Sequence, residues 1–408
     1  MSLIQPFAGL RPAPGRAAEV AAPPYDVMNA AEARRMVEGR PWSFLHISRP
    51  EVDLPEGTDP YAPAVYARAR ENLERMLAEG LLLRDPAPRY YVYRLTMGAH
   101  RQIGLVASAS VAAYDAERIK KHEFTRPVKE DDRVRQIEAL NAQTGPVFLV
   151  YRATPAIDDL LTEVGATPAE VDLTAADGVR HELWTLADTA RIAHLTAAFE
   201  ALDALYIADG HHRAAAASRV AAARRASGTA SGDGFLSVIF PHDQMQILDY
   251  NRVVRDLHGL DVDAFMNRLS VAFAIEGSPV PVRPEKPAEF GMYLAGHWYR
   301  LTLDPGRIPH DDPVARLDVS LLQDNLIGPI LGIKDPRRDE RIDFVGGIRG
   351  LEGLVKRVDA GEMAVAFSLY PTGMRDLMAV ADAGEVMPPK STWFEPKLAD
   401  GLVSHILD

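Results

Sequence analysis

Hydrophobic residues recur with a helical period through residues 61–80. Val65, Ala69, Leu73, Met76 and Leu77 share one face, charges fill the other, and Gly80 stops the run. Residues 90–97 and 102–113 read as two strands joined in a hairpin around Gly98-Ala99-His100-Arg101. Short apolar runs predict strands at 42–47, 146–151, 205–209 and 235–240. Helices are expected at 30–38, 188–202 and 212–226, with a polar, partly helical stretch over 114–141 and a helical or mixed region from Asp158. Past a proline-rich break at 278–287, a second hairpin is expected over 291–303, turning at Gly296-His297. A strand at Phe344, a helix at 351–358, a strand at 363–369 and a helix at 374–383 follow. Hairpins mixed with strand–helix steps predict an α+β fold with mixed sheets and packed helices. Three regions are expected, 1–151, 152–277 and 278–408, with a core that the regions can share. Ser227–Gly234 reads as a mobile loop inside a domain, because a core strand resumes directly after it.

Composition narrows the chemistry. The 408 residues contain no cysteine, which excludes disulfides, thiolate zinc sites and a cysteine nucleophile. Acidic residues outnumber basic ones 57 to 45, giving a net charge of −12 that argues against non-specific nucleic-acid binding. No run approaches the ~18 apolar residues that span a bilayer, and the first residues lack the pattern of a secretory signal. A cytoplasmic protein is expected, and the alanine- and arginine-rich usage suggests a bacterial source.

The densest group of ionisable residues is Asp209-Gly210-His211-His212-Arg213, set between the apolar run 205–208 and the alanine-rich run from Ala214. A strand, a tight turn and a helix in this order aim free helix N–H groups at whatever occupies the turn. Those donors, the helix dipole and an arginine favour an anion such as phosphate. Asp209 would cap the helix or hold a metal ion. An ordinary turn explains Asp-Gly, but it requires neither the two histidines nor the arginine.

A second cluster is Lys120-Lys121-His122-Glu123-Phe124-Thr125-Arg126, followed by Asp132-Arg133. Folded against the turn, Glu123 would serve as general base or Mg²⁺ ligand, and Lys120, Lys121 and Arg133 would neutralise phosphate oxygens. The competing reading is a solvated charged helix. Near the end, Lys390 precedes the hydroxyls of Ser391 and Thr392 without the glycine-rich loop of a Walker sequence, while Trp393 and Phe394 read as core anchors. Gly346-Gly347-Ile348-Arg349-Gly350 is a weaker phosphate cradle. The pair Tyr25-Asp26, stiffened by Pro23-Pro24, matches no general catalytic template.

Taken in order, Ala22-Pro23-Pro24-Tyr25-Asp26-Val27, His122-Glu123-Phe124-Thr125, Asp132-Arg133, Gly145-Pro146, the Asp209–Arg213 turn and Met387-Pro388-Pro389-Lys390-Ser391-Thr392 resemble a prokaryotic family catalogued as domain of unknown function 1015. The strand–turn–helix step is also similar to the phosphate-binding turn of the ParB/sulfiredoxin superfamily, which includes nucleotide-binding partition proteins and kinases of free serine. This resemblance implies a ParB/sulfiredoxin-like phosphate site, with Gly210, His211, His212 and Arg213 as phosphate contacts and Glu123 as the candidate catalytic carboxylate. The sulfiredoxin reaction is excluded because its cysteine is absent.

The resulting expectation is a phosphotransferase using ATP or ADP, or CTP, with Mg²⁺, acting on a small hydroxyl-bearing metabolite such as serine. Glu123, His122 and Asp209 are its catalytic candidates, with Glu123 and Asp209 also the candidate Mg²⁺ ligands. Gly210, His211, His212, Arg213, Lys120, Arg133 and Lys390 are its candidate nucleotide contacts. Two other readings stand beside it: a nucleotide-binding regulatory protein, with a homodimer, and a metal-dependent hydrolase built on His122, Glu123, Asp209, His211 and His212.

Overall fold

A computed structural model describes residues 2–229 and 231–407; Ala230, in the stretch expected as a mobile loop, lies outside the described residues. The fold is α+β and divides into two compact units. One runs to Met245 and takes up the chain again from Pro396; the other is Gln246–Glu395.

The first unit is built on a mixed sheet. Its strands run in the order Ile119–Lys120, Leu205–Asp209, Val147–Tyr151, Gly234–Pro241, His100–Ser110, Tyr90–Met97, Arg180–Leu186, Val171–Thr174. Regions 1–151 and 152–277 therefore share one sheet: the 147–151 strand lies between strands from the second region. Leu149, Ile207 and Ile239 are all fully buried on this sheet and belong to one core. A separate apolar cluster gathers Val20, Phe44, Leu45, Leu73 and Met76. The expected hairpin forms, with Tyr90–Met97 pairing antiparallel to His100–Ser110.

The amphipathic helix spans Pro63–Ala78 and buries Val65, Ala69, Leu73 and Met76, but Leu77 stands 41% exposed at the edge of its face. A second correction falls at 42–47, where the expected strand is instead a short helix, Leu45–Ser48. All four of its residues are buried, so neither strand nor helix periodicity is written there.

The 211–226 helix packs along the Pro127–Leu140 helix. Ala216 and Val220 meet Ile137 and Leu407 in a small core of their own. Alanine both favours the helix and lets the two axes approach. Pro127 opens the partner helix and Asn141, in the left-handed conformation, closes it.

The second unit holds a six-stranded antiparallel sheet, ordered Phe273–Ser278, His297–Leu303, Glu289–Leu294, Val365–Leu369, Tyr250–Val254, Ile342–Gly346. Helix Gly350–Asp359 packs against it through Leu354. Among the described residues, no helix is long and apolar enough to cross a membrane.

Candidate functional site

The strand Leu205–Asp209 ends in a bulge against Val147–Tyr151, between Ile207 and Asp209. Gly210 follows with φ 96, and the helix begins at His211. A Cβ at Gly210 would lie 3.0 Å from the Arg213 guanidinium, so glycine serves both the left-handed turn and the close approach. No side chain caps this helix end.

Arg213 folds back over the turn, buried. It donates to the Pro146 carbonyl and lies 3.6 Å from both Asp26 and Asp209. Its Nε has no hydrogen-bond partner. Burial works against its charge, but Asp26, then Asp209, Tyr25 and Asp400, more than restore it. Asp209 also meets Lys397 at 3.5 Å. Burial opposes its ionisation, yet Lys397 and Arg213 hold its carboxyl well below the usual range.

The two clusters singled out in the sequence meet here. The backbone N–H of His122 donates to His211 Nε2 at 3.4 Å, and that of Arg126 donates to His212 Nε2 at 3.0 Å. Both histidines therefore accept through Nε2, which leaves the proton on Nδ1. His211 Nδ1 faces Glu123 Oε2 at 3.9 Å. The residue 122–126 segment is thus fastened at both ends to the first turn of the helix, and Glu123 is exposed between the fastenings.

His122 itself is 2% exposed, crossing His211 edge to face at 4.5 Å. Its ring donates to the Ile207 carbonyl and its Nδ1 has no partner. Burial lowers its pKa to about 4 and that of His211 well below 6.5; burial also lowers that of His212. His122 is walled off from solvent, which suits support of His211 rather than contact with a substrate. Among the described residues, no group of three or more His, Asp or Glu is arranged to hold a metal ion. The five residues expected for a metal-dependent hydrolase do not form such a group, and two of their imidazole nitrogens are occupied by backbone amides.

Lys120 lies in the edge strand beside Tyr206. Arg133 is paired with Asp132 at 2.7 Å and stacked over the Tyr25 ring at 3.9 Å. Lys390 belongs to the second unit, where its ammonium lies 5.5 Å from the Tyr250 ring and its carbonyl accepts from Arg252. In that unit Gly346 packs against Trp393 and Gly347 against Asp249; a Cβ on either would collide, which accounts for both glycines without a phosphate.

Three residues of the site carried no assigned role in the sequence. Asp26 reaches Arg213 from a turn gripped by Arg49, whose guanidinium donates to the Tyr25 and Met28 carbonyls at 2.8 Å. The Pro23-Pro24-Tyr25-Asp26 motif signalled this turn without revealing its partner. Lys397 and Asp400 gave no signal, being isolated charges far along the chain. Asp400 is buried with Oδ1 unpartnered. With Tyr25, Ser48, Arg133, Gly145 and Arg213 it lines a cavity of about 30 Å³, room for about two waters.

Several solved structures resemble the chain at low identity. A structure described as free serine kinase in complex with AMP aligns at TM-score 0.34 and 13% identity, covering 73% of this chain and 92% of that one. A conserved hypothetical protein from Pyrococcus furiosus aligns at TM-score 0.31 and 15% identity, over 73% of this chain and 95% of its own. SbnI with a C-terminal truncation, from Staphylococcus aureus, aligns at TM-score 0.37 and 12% identity, over 72% and 85%. Curated proteins yield no match. The family described as "Protein of unknown function (DUF1015)" matches residues 4–320, most of the chain and the whole strand–turn–helix site, and the protein belongs to that family.

Proposed function

We propose that the protein is a nucleotide-dependent phosphotransferase acting on the hydroxyl of a small metabolite, with free serine as the first substrate to test. The observation that carries this reading is the uncapped first turn of the 211–226 helix, closed on one side by the buried Arg213 with an unpartnered Nε and on the other by the exposed Glu123. Phosphoryl transfer requires little covalent help: it requires held phosphates, neutralised charge and an oriented hydroxyl.

In this reading the His211 and His212 backbone amides hold phosphate oxygens at the close approach that Gly210 allows, and Arg213 takes the charge that builds on them. The acceptor hydroxyl attacks the terminal phosphorus of ATP or ADP. The bond to the leaving phosphate breaks, and Glu123 takes the hydroxyl proton. His211, neutral through burial, presents Nδ1–H toward Glu123 and orients it. Mg²⁺ commonly binds through one or two carboxylates plus substrate phosphates, so a preformed cage is not required. Glu123 is committed to the proton and the Asp209 charge is already matched by Lys397 and Arg213, so the ion would be held chiefly by the substrate phosphates. When bound, the ion neutralises phosphate charge.

Calorimetry of ATP, ADP and CTP with Mg²⁺ tests the reading. Arg213→Ala should weaken nucleotide binding by at least about 10-fold, the scale of one lost charge-assisted contact. Glu123→Gln should leave binding intact and slow transfer to serine by roughly 100-fold or more. Undiminished binding in Arg213→Ala would place the nucleotide elsewhere.

A further inference from the structure

We infer that Phe124 is the platform on which the base of a bound nucleotide stacks. The inference rests on the phosphate reading of the helix end and adds the part of the ligand that this reading leaves unassigned.

Phe124 sits midway along the segment fastened by His122 and Arg126 to the first turn of the helix. It is 69% exposed. The segment is further stiffened at Thr125, whose hydroxyl donates to Glu130. An exposed phenylalanine on a loose loop is unremarkable. Here the loop backbone is held at both ends, which keeps the residue beside the helix end with its ring in water. Its sequence neighbours include Lys120, Lys121 and Arg126, cations that suit a polyanionic ligand, with Glu123 the one acid between Lys120 and Arg126.

The helix end supplies the second half of the argument. Arg213, buried to more than nine-tenths, is folded over Gly210 with Nε unpartnered. The segment that carries Phe124 is thus fastened to the same turn that carries the Arg213 guanidinium, which puts an aromatic ring and an anion donor on one helix end. An aromatic face accepts any base through stacking, so this platform predicts weak discrimination between adenine and cytosine nucleotides.

The test separates base from phosphate. Magnesium complexes of ATP and of inorganic tripolyphosphate are titrated into wild type, Phe124→Ala, Phe124→Trp and Arg213→Ala. Phe124→Ala should weaken ATP binding roughly 5- to 150-fold, the range of base–aromatic stacking, and leave tripolyphosphate unchanged. Phe124→Trp should keep ATP affinity. Arg213→Ala should weaken both ligands. Equal losses of ATP and tripolyphosphate in Phe124→Ala, or no loss of either, would overturn the stacking role while sparing the phosphate site. A change in solution mass of Phe124→Ala with ATP affinity intact would assign the ring to a contact between copies of the chain and would equally overturn it. Failure of wild type to bind both ligands would remove the phosphate reading and the stacking role together.

Discussion

Asp400 is the residue whose environment most contradicts its solvent chemistry. Burial pushes its carboxyl up to about 7, against the pull of Arg213 and with the help of Asp26. The folded protein therefore holds this proton more tightly than the unfolded chain, whose carboxyl titrates near 3.8. The stability linked to this group is complete below that value and is lost as pH rises through about 7. Asp400→Asn cannot ionise and escapes the loss. Its melting temperature relative to wild type should rise between about pH 4 and about pH 7 and level off above, followed by scanning calorimetry at several pH values. A constant offset across that window would mean that Asp400 is already ionised in the fold. None of this was legible in the sequence, where Asp400 is one acid among 57. Gly210 was legible, because an Asp-Gly step between an apolar run and a helix demands an unusual backbone. The histidines were legible as a cluster but not as acceptors of backbone amides, since that depends on where residues 122–126 fold.

At the scale of elements, two helices decide where the site stands. The 127–140 and 211–226 helices meet through Ala216, which is fully buried. One helix begins directly after the Glu123 segment and the other begins at the phosphate-type turn, so their contact sets the gap between the two. Ala216→Leu should overfill the interface and cost about 1–3 kcal/mol, read as a lower urea midpoint with an unchanged slope. An unchanged midpoint would mean that the helices have slack to move apart. Sequence periodicity placed the long amphipathic helix and the hairpin within a few residues, because each carries one buried and one wet face. It failed at Leu45–Ser48, where burial on every side erases the pattern. It also left the strands Val171–Thr174 and Arg180–Leu186 inside a region read as helical or mixed. The first alternates half-buried and exposed positions and the second is mostly buried, so neither stood out.

For the whole molecule, the division into two units sets how it should unfold. Each unit has its own apolar core, and the candidate site lies wholly in the one that contains Asp209 and Asp400. Scanning calorimetry should resolve two transitions, and a nucleotide at about 100 times its dissociation constant should stabilise one of them by about 2.7 kcal/mol. A shift of both transitions by equal amounts would mean that the units unfold as one. Composition and punctuation suggested three consecutive regions. They could not show that residues 396–408 return to the first unit, because a chain that leaves a core and re-enters it writes no mark at either crossing.

That return has a consequence for the growing chain. Synthesis runs from the N-terminus, so Asp209 and Arg213 leave the ribosome well before Lys397 and Asp400. Throughout translation of residues 246–395, Asp209 lacks its ammonium partner and Arg213 lacks one of the carboxylates that sustain its charge. The site is an electrostatic circuit that closes only when residues 396–408 are in place. A nascent chain stalled before Pro396 would carry the strand, the turn and both histidines without the charges that complete them.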